Sequence, residues 1–365
     1  MDKPLYLSRT ERHRCRSGRQ RKCWGIGIIR VETSGGARRA RRGVTVAFAA
    51  AAIAAGVLIA SPAVADDGFE DQIADALAAV PTEQGVLRDL AVDGEPSAAI
   101  PLDPSAGIVL TSSSGSTLEV ALPFADRAPD GLSVGDAAIA YDNANGSATV
   151  PIAKSDGSVQ ITTIIEDAAA PTSYRYGIGG AEGSTLRLFD DGSVIIEDSE
   201  GAYQGGVIAP WAFDAEGTPV KTWYEVDGAT LVQVVAHDAG AYAYPIVADP
   251  WLGINLFDWI TVDTYSGQAR VNLQPSAWGY AQWPSIGGQI VMNTAGWYEA
   301  WTWPGVTGLQ AALNKDSQRQ QFECHALGSP FAGTWNLEKF RPNRTVHWSW
   351  GVAIHHCNWT TATQY

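Results

Sequence analysis

Basic residues are scarce in this sequence after position 65, and they are unevenly placed. Residues 66–250 hold six Lys and Arg against 30 Asp and Glu, whereas residues 251–365 hold six of each sign. A strongly acidic surface repels nucleic acid and anionic lipid. The charge pattern therefore predicts that the protein has no nucleic-acid partner, and high acidity by itself also favours solubility.

Several motifs of catalytic and cofactor sites are missing. The sequence contains no phosphate-binding loop, no dinucleotide fingerprint, no H-E-x-x-H and no C-x-x-C. Zinc or copper bound by the C-terminal histidines and Glu323 is one alternative. In a strand over 346–356, however, His347 and His355 would lie more than about 20 Å apart, too far to share one ion. We therefore predict no metal and no cofactor.

The N-terminus has the parts of a secretory signal peptide. Residues 1–43 are rich in arginine, residues 44–59 form an apolar run rich in alanine, and an A-x-A site ends at Ala65. These three parts are typical of a cleaved export signal. The alternative is a membrane anchor, for which the apolar run is short. We predict a signal-peptide region over 1–65, cleavage after Ala65, a secreted, extracellular protein and no membrane association after cleavage.

The basic region is long for a signal peptide that begins at the first residue. We expect translation to begin at Val31 through an alternative start codon, and a precursor peptide from residues 1–30 would contradict this. The arginine-rich region also leaves a twin-arginine export route open. Loss of the signal region removes two of the four cysteines, Cys15 and Cys23.

Cys324 and Cys357 are then the two cysteines of the mature chain. They bracket the most aromatic part of the sequence, and export supplies the oxidising setting in which disulfides persist. We predict a Cys324–Cys357 disulfide that closes the last domain and contributes about 3–4 kcal/mol. A nucleophilic Cys324 with His325 as its base is the alternative, but neighbours on a strand point to opposite faces.

Residues 66–96 are predicted to be an N-terminal helix and a linker. Four apolar side chains recur on one helical face and precede Pro81, which ends the run: Phe69, Ile73, Leu77 and Val80. A short apolar face of this kind usually packs on its own domain. A partner-binding helix is the alternative.

Residues 97–250 are predicted to form an acidic β-rich domain. Short alternating strands, each with one buried and one solvated face, are separated by turn dipeptides that tolerate positive φ: Asn145-Gly146, Asp156-Gly157, Asp191-Gly192 and Asp227-Gly228. Close strand spacing favours an antiparallel, sandwich-like or rolled sheet. The proline-containing segment 244–250 is predicted to be an extended connector.

Composition changes after Asp249, since 11 of the 14 tryptophans follow it. We predict that residues 251–365 form a small, disulfide-closed α+β domain that is rich in Trp. The expected elements are strands over 268–273, 320–326 and 346–356 and short helices over 294–301 and 308–315.

The motifs of residues 256–358 are similar to a known family. They are Pro275-Ser-Ala-Trp278-Gly279, Trp297-Tyr-Glu299, Gln321-Phe-Glu-Cys-His325, Thr334-Trp-Asn-Leu-Glu338, Arg341-Pro342 and Cys357. This pattern resembles a family of secreted actinobacterial proteins, the domain of unknown function 2599 family. The segment from Ala170 to Pro250 resembles a module often found in such proteins. The resemblance implies export and a two-module layout, and it implies no activity.

A G-x-S-x-G motif at Gly131–Gly135 makes a secreted hydrolase one alternative function. Its Ser133 could use His237 as a base, but a nucleophile elbow needs a strand before the serine and a helix after it. The preceding Arg127–Asp130 predicts a turn, and the following residues favour a strand. A toxin-like effector is the other alternative.

The tryptophans carry the main functional prediction. Exposed aromatic side chains bind sugars, peptides or proteins at low entropic cost, although most tryptophans of a small domain belong to its core. Trp297 and Trp301 are four residues apart on the predicted helix and would share one side. We predict that they and Trp303 make a binding surface on a secreted, non-catalytic protein, whose partner is a cell-wall glycan or an extracellular protein.

Overall fold

The computed structural model describes residues 67–81, 98–239 and 241–364, which belong to one compact unit, Pro62–Tyr365. The predicted signal peptide, the Val31 start, the cleavage after Ala65 and nearly all of the predicted linker lie outside the described residues. Among the helices in the described ranges, none is both long and apolar enough for a membrane span.

The predicted N-terminal helix is present as α1, Asp67–Ala79. Its Ile73 and Leu77 are buried and belong to a cluster with Val150 and Val247 of the following sheet. The apolar face of α1 therefore packs on the chain's own fold.

Residues 98–253 form two antiparallel sheets, and we call them the two-sheet region. Its strands are β1 Ala98–Ala99, β2 Ile108–Thr111, β3 Thr117–Ala121, β4 Leu132–Val134, β5 Ala138–Asp142, β6 Ser147–Ala153, β7 Val159–Ile165, β8 Ser173–Gly179, β9 Thr185–Leu188, β10 Val194–Glu197, β11 Tyr203–Val207, β12 Trp211–Phe213, β13 Thr222–Asp227, β14 Thr230–Val235, β15 Ile246–Asp249 and β16 Trp251–Gly253. Short 3₁₀ turns lie at Pro104–Ala106 and His237–Ala239.

One sheet has six strands in the order β1-β2-β3-β8-β14-β13. The other has ten, with the path β4-β5-β6-β7-β16-β11-β10-β9 and β15 pairing with both β12 and β7. A shared core lies between them, with Leu110 and Val120 from the six-stranded sheet and Ile161 and Ile196 from the ten-stranded sheet. The predicted antiparallel, sandwich-like fold is confirmed.

The predicted turn dipeptides all lie between paired neighbouring strands. At Gly157 φ is 81° and at Gly192 it is 86°, a backbone conformation that favours glycine. The preceding aspartates close the same turns, since Asp156 Oδ1 accepts from Ser158 N at 2.9 Å and Asp191 Oδ1 accepts from Ser193 N at 2.9 Å. Strand register is thus fixed locally by the turn residues.

The expectation that every strand has one solvated face is wrong for β6 and β7. All seven residues of each strand are buried. One face of the pair contributes Ile161 to the core between the sheets, and the other packs Val150 against α1. Both faces of these strands are buried, and α1 covers part of the side that would otherwise meet solvent.

Residues 254–364 form an α+β unit, which we call the helical region. Strands β17 Phe257–Tyr265, β18 Gln268–Pro275 and β19 Trp335–Glu338 make a three-stranded antiparallel sheet in that order. The helices are α2 Ala277–Ala281, α3 Ile286–Thr302, α4 Leu309–Leu313, α5 Asp316–Gly328 and α6 Val352–His355. The expected strand at 268–273 and helices at 294–301 and 308–315 are found, although α3 begins eight residues earlier.

The Cys324–Cys357 disulfide is present, with the two Cα atoms 5.5 Å apart. It joins α5 to the segment that follows α6. Both cysteines are fully buried, so the bond ties the last turns of the chain to a core helix.

The predicted strand over 320–326 is wrong, because these residues lie in α5. Its buried face includes the polar side chain of Gln321 beside Phe322. A search for apolar residues at helical spacing therefore does not detect this helix. The Gln321 amide is bound to a strand backbone: Glu338 N donates to its Oε1 at 2.8 Å, and its Nε2 donates to the Glu338 carbonyl at 3.1 Å.

The predicted strand over 346–356 is also wrong, because this segment is made of turns and the short helix α6. The Arg344 guanidinium donates to the carbonyls of His347 and Trp350 at 3.3 and 2.8 Å. These bonds fold the backbone into a loop, and Gly351, with φ 76°, leads into α6.

The two regions meet at Trp278. Its ring lies against Gly253, where an added Cβ would fall 2.4 Å from Cδ2 of the indole. Its backbone N donates to Asp156 Oδ2 at 2.7 Å, and its Nε1 donates to the Tyr203 hydroxyl at 3.2 Å. The predicted boundary at residue 250 falls between β15 and β16, which belong to the same sheet. The predicted division into domains stays a prediction.

Candidate functional site

The three predicted tryptophans are partly buried side chains at the edge of the core of the helical region. Trp297 and Trp301 lie together, with ring centroids 6.2 Å apart. Trp297 also packs on Phe322, at 5.2 Å, and the Arg319 guanidinium lies 5.3 Å from its ring. Trp297 therefore belongs to the edge of the helical core. Trp303 lines a groove on α3 together with side chains of the two-sheet region.

This groove lies between α3 and strands β9–β11, and we call it the α3 groove. It has a volume of about 580 Å³. Its lining comes from one face of α3 with Trp303 and Pro304, from the end of β9 through β11, from the serine turn between β2 and β3, and from Ile254 and Asn255. A concave site of this size, with mixed apolar and polar lining, is typical of ligand binding.

The helix wall of the groove is regular because α3 is well capped. Ser285 is extended, and its side chain accepts from Gly288 N at 2.8 Å, which fixes the start of the helix. Four groove residues then follow at intervals of four along the same face: Ile290, Thr294, Tyr298 and Thr302. Tyr298 is 67% exposed and Ile290 is 45% exposed. A large aromatic and an aliphatic side chain are thus available on this wall.

The sheet wall of the groove is polar and mainly acidic. Arg187 Nη2 lies 2.7 Å from Glu197 Oε1, so this cation is paired within the wall. The next residue, Asp198, closes its own turn through Oδ1, which accepts from Glu200 N and Ala202 N at 2.9 and 2.8 Å. The strand and turn therefore hold two carboxylates beside each other at the groove.

Glu299 joins the helix wall to the base of the groove. Its carboxyl group accepts the backbone N–H groups of Leu256, at 2.9 Å, and Phe257, at 3.1 Å. Burial raises the pKa of Glu299 to about 8, against the lowering effect of these two hydrogen bonds. Glu299 fixes the chain at the start of β17.

The third side of the groove is the serine turn between β2 and β3. Ser113 N donates to the Asn255 side chain at 2.9 Å, which ties this turn to the segment between the two regions. Ser112 Oγ and Ser114 Oγ lie 2.9 Å apart. The turn offers several hydroxyl groups to a ligand in the groove.

Sequence reasoning missed most of the groove. Tyr298 and Glu299 belong to the motif that carries the family resemblance, but they were not predicted as site residues. The signal that could have found the helix wall is the interval of four from Ile290 to Thr302. No comparable signal marks the sheet wall, since Glu197 and Asp198 are two of 39 acidic residues in the sequence.

A second aromatic cluster surrounds Phe331, which is 64% exposed. Its ring stacks on Tyr280 with centroids 5.8 Å apart and meets Trp283 edge-on at 5.2 Å. A shallow cleft passes beside Trp283 and Phe331 to His356. Phe331 therefore uses one face of its ring on Tyr280.

The G-x-S-x-G serine does not lie in a nucleophile elbow. Ser133 is on β4 and pairs with Ile139 of β5, so a hairpin strand follows it instead of a helix. The base of this alternative is engaged elsewhere: His237 Nδ1 lies 3.0 Å from the Tyr244 hydroxyl and Nε2 lies 3.2 Å from the Pro171 carbonyl. These contacts do not support the alternative of a Ser133–His237 catalytic pair.

Cys324, Cys357 and His355 have structural partners. The sulfur of Cys324 is bonded to Cys357. His355 Nε2 lies 3.0 Å from the Trp350 carbonyl, and its Nδ1 accepts from Cys357 N at 3.0 Å. Within the ranges that the structure describes, no group of three or more His, Cys, Asp or Glu residues is placed to hold a metal ion.

Comparisons with protein-family models, with curated proteins and with solved structures gave no match. The resemblance to the domain of unknown function 2599 family stays a prediction.

Proposed function

We propose that this protein is an exported, non-catalytic binding protein whose α3 groove takes a cell-envelope or extracellular partner. The observation that carries the proposal is the groove itself. It has a volume of about 580 Å³ and places the exposed Tyr298 and the predicted Trp303 opposite polar side chains. Large aromatic side chains beside fixed polar groups are the usual means of ligand recognition.

Export is supported by two features. The N-terminal sequence has the parts of a signal peptide, and the Cys324–Cys357 disulfide suits an oxidising compartment. We expect the mature chain in the culture medium or envelope fraction, with Asp66 as its first residue. N-terminal sequencing of the exported protein tests this, and a mature chain that is confined to the cytoplasm would contradict it.

Binding is tested with groove-filling and matched variants of the mature protein. Thr294→Trp adds an indole to the groove at an exposed position of α3. Ile286→Trp adds one to the same helix at a position that is 76% exposed and outside the groove lining. Purified cell wall, a glycan array and the secreted-protein fraction serve as the ligands.

We expect the unmodified protein and Ile286→Trp to bind one of these ligands, and Thr294→Trp to lose at least tenfold in affinity. Thermal unfolding of each variant shows whether it is folded. Equal binding by folded Thr294→Trp and the unmodified protein, or binding to none of the three ligands, would overturn the proposal.

A further inference from the structure

The charge of the α3 groove favours a cationic ligand. Glu197 and Asp198 lie in its lining, and the basic side chain found with them, Arg187, is paired with Glu197 at 2.7 Å, so these three side chains carry one net negative charge. Glu299 adds little charge at neutral pH, because burial raises its pKa to about 8. The groove borders the two-sheet region, which lies within the strongly acidic part of the sequence. A negative potential in a concave site attracts positive ligands and steers their approach.

The helix wall favours apolar side chains on the same ligand. Ile290 and Ala295 are aliphatic, and Tyr298 adds an exposed ring. The hydroxyls of Thr294 and Thr302 donate to helix carbonyls at 2.7 and 2.8 Å, so they are engaged by α3 itself. Their donor hydrogens are therefore not available to the hydroxyl groups of a sugar, although their oxygens can still accept a hydrogen bond.

The geometry points to a protein ligand: we propose that the α3 groove binds an extended segment of an extracellular protein, with lysine or arginine side chains facing β9–β11 and apolar side chains facing α3. This inference rests on the proposed function. An extended chain alternates its side chains between two sides, which matches one acidic and one apolar wall. Tyr298 and Trp303 would also attract ammonium or guanidinium groups by cation–π contact.

The test uses labelled peptides and the mature protein in fluorescence anisotropy at low and physiological salt. One peptide alternates leucine and lysine, and its matched control alternates leucine and glutamate. A chito-oligosaccharide is the glycan probe. The protein variants are Thr294→Trp, Ile286→Trp and the double variant Glu197→Gln with Asp198→Asn, each checked for its thermal midpoint.

We expect the lysine peptide to bind at least tenfold more tightly than the glutamate peptide, and more weakly as salt rises. Thr294→Trp should abolish this binding, Ile286→Trp should leave it unchanged, and the double carboxylate variant should weaken it about fivefold, as expected for charges at a rim. This pattern would support the inference.

Three results would overturn it. The two peptides could bind equally, the oligosaccharide could bind while both peptides fail, or the lysine peptide could bind equally to Thr294→Trp. A pull-down partner that is lost in Thr294→Trp would still support the proposed function in each case. The experiments therefore distinguish a wrong ligand class from a wrong binding site: the first would overturn only this inference, and the second would also overturn the proposed function.

Discussion

Long-range side-chain contacts occur in both regions of the molecule, as where Gln160 Nε2 donates to Asp249 Oδ2 at 2.9 Å in the two-sheet region, but the two-sheet region adds many short turns. In the two-sheet region, turns close over two residues, as where Asp191 Oδ1 accepts from Ser193 N at 2.9 Å. In the helical region, side chains bind backbone groups far away in sequence. Glu299 accepts from Leu256 N, 43 positions away, and Gln321 binds the Glu338 backbone, 17 positions away.

The difference shows where each region is vulnerable. A turn repeats many times across two sheets, so the loss of one removes a small part of the total. The helical region depends on a few buried anchors, each of which holds a whole element in place. We therefore expect single substitutions to destabilise the helical region more, and five predictions test this from the largest effect to the smallest.

Trp278→Ala should cause the largest loss, about 3–5 kcal/mol of unfolding free energy, because this fully buried indole contacts both regions. Urea unfolding followed by fluorescence measures it. Trp350→Ala is the matched control, since Trp350 is 52% exposed. We expect a change within about 0.5 kcal/mol there. Equal losses of stability in the two variants would contradict the expectation that the helical region depends on a few buried anchors.

Removing the disulfide by Cys324→Ala with Cys357→Ala should lower stability by about 3–4 kcal/mol, because the bond closes a separation of 33 residues in the unfolded chain. Reduction of the unmodified protein should give the same denaturant midpoint. A midpoint that moves in neither experiment would show that the helical region does not depend on this bond.

Gln321→Leu should cost about 1–3 kcal/mol, because it leaves the buried backbone N–H of Glu338 without its acceptor. Gln289→Leu is the control, since its amide donates to the Trp283 carbonyl at 3.0 Å from a partly exposed position. Chemical denaturation of both variants measures the difference. A stabilised Gln321→Leu variant would contradict the role given to long-range side-chain anchors.

Both regions carry a buried acid, so stability should fall as pH rises. Burial raises the pKa of Glu299 from 4.5 to about 8 and that of Asp249 from 3.8 to about 7. Between its pKa in the unfolded state and its higher pKa in the folded state, each group keeps a proton in the folded state that it has released in the unfolded state. A higher pH therefore favours unfolding in this pH range. The slope is at most about 1.4 kcal/mol per pH unit for each group.

Thermal midpoints between pH 5 and 8 measure this dependence. Glu299→Gln should flatten the profile up to about pH 8, and Asp249→Asn should flatten it up to about pH 7. His325 acts in the opposite direction below pH 6.5, because burial lowers its pKa to about 4. Unchanged profiles in both acid variants would contradict the assignment.

Asp191→Ala should have the smallest effect, about 0.5 kcal/mol, because Asp191 is exposed and closes a local turn, and its other oxygen makes only a long contact, at 3.4 Å, with Gly287 N of α3. Asp191→Asn, which keeps the accepting oxygen, should be close to the unmodified protein. Differential scanning calorimetry of the two variants checks this. A loss as large as that of Gln321→Leu would show that the turns are not weaker than the anchors.

The parts of the fold that could be predicted from the sequence are those fixed by neighbouring residues. The Asp-Gly and Asn-Gly turns needed only local chemistry, and the disulfide needed only two cysteines in a chain that is predicted to be exported. The helix α5 could not be predicted, because its buried face includes Gln321, whose amide is satisfied by a strand that follows it in the chain. The loop around Arg344 could not be predicted for a similar reason, because it depends on side-chain hydrogen bonds such as the one from the Arg344 guanidinium to the Trp350 carbonyl.

The candidate site was predictable only in part. Trp303 was expected to bind a ligand and lines the α3 groove. Trp297 was grouped with it, but its ring packs on Phe322. The groove combines positions that are distant in sequence, as in the contact between Ser113 and Asn255, 142 positions apart. No periodic pattern in a single sequence indicates that two segments so far apart in the chain lie in contact.

The contact between Gly253 and Trp278 limits how this chain could be recombined with others. If the C-terminal half were joined to another protein at residue 253, glycine would be needed there, since even a methyl group would collide with the Trp278 indole. The new N-terminal half would also have to place a carboxylate where Asp156 lies, to accept from the Trp278 backbone N. Recombination would therefore have to keep Asp156, Gly253 and Trp278 together.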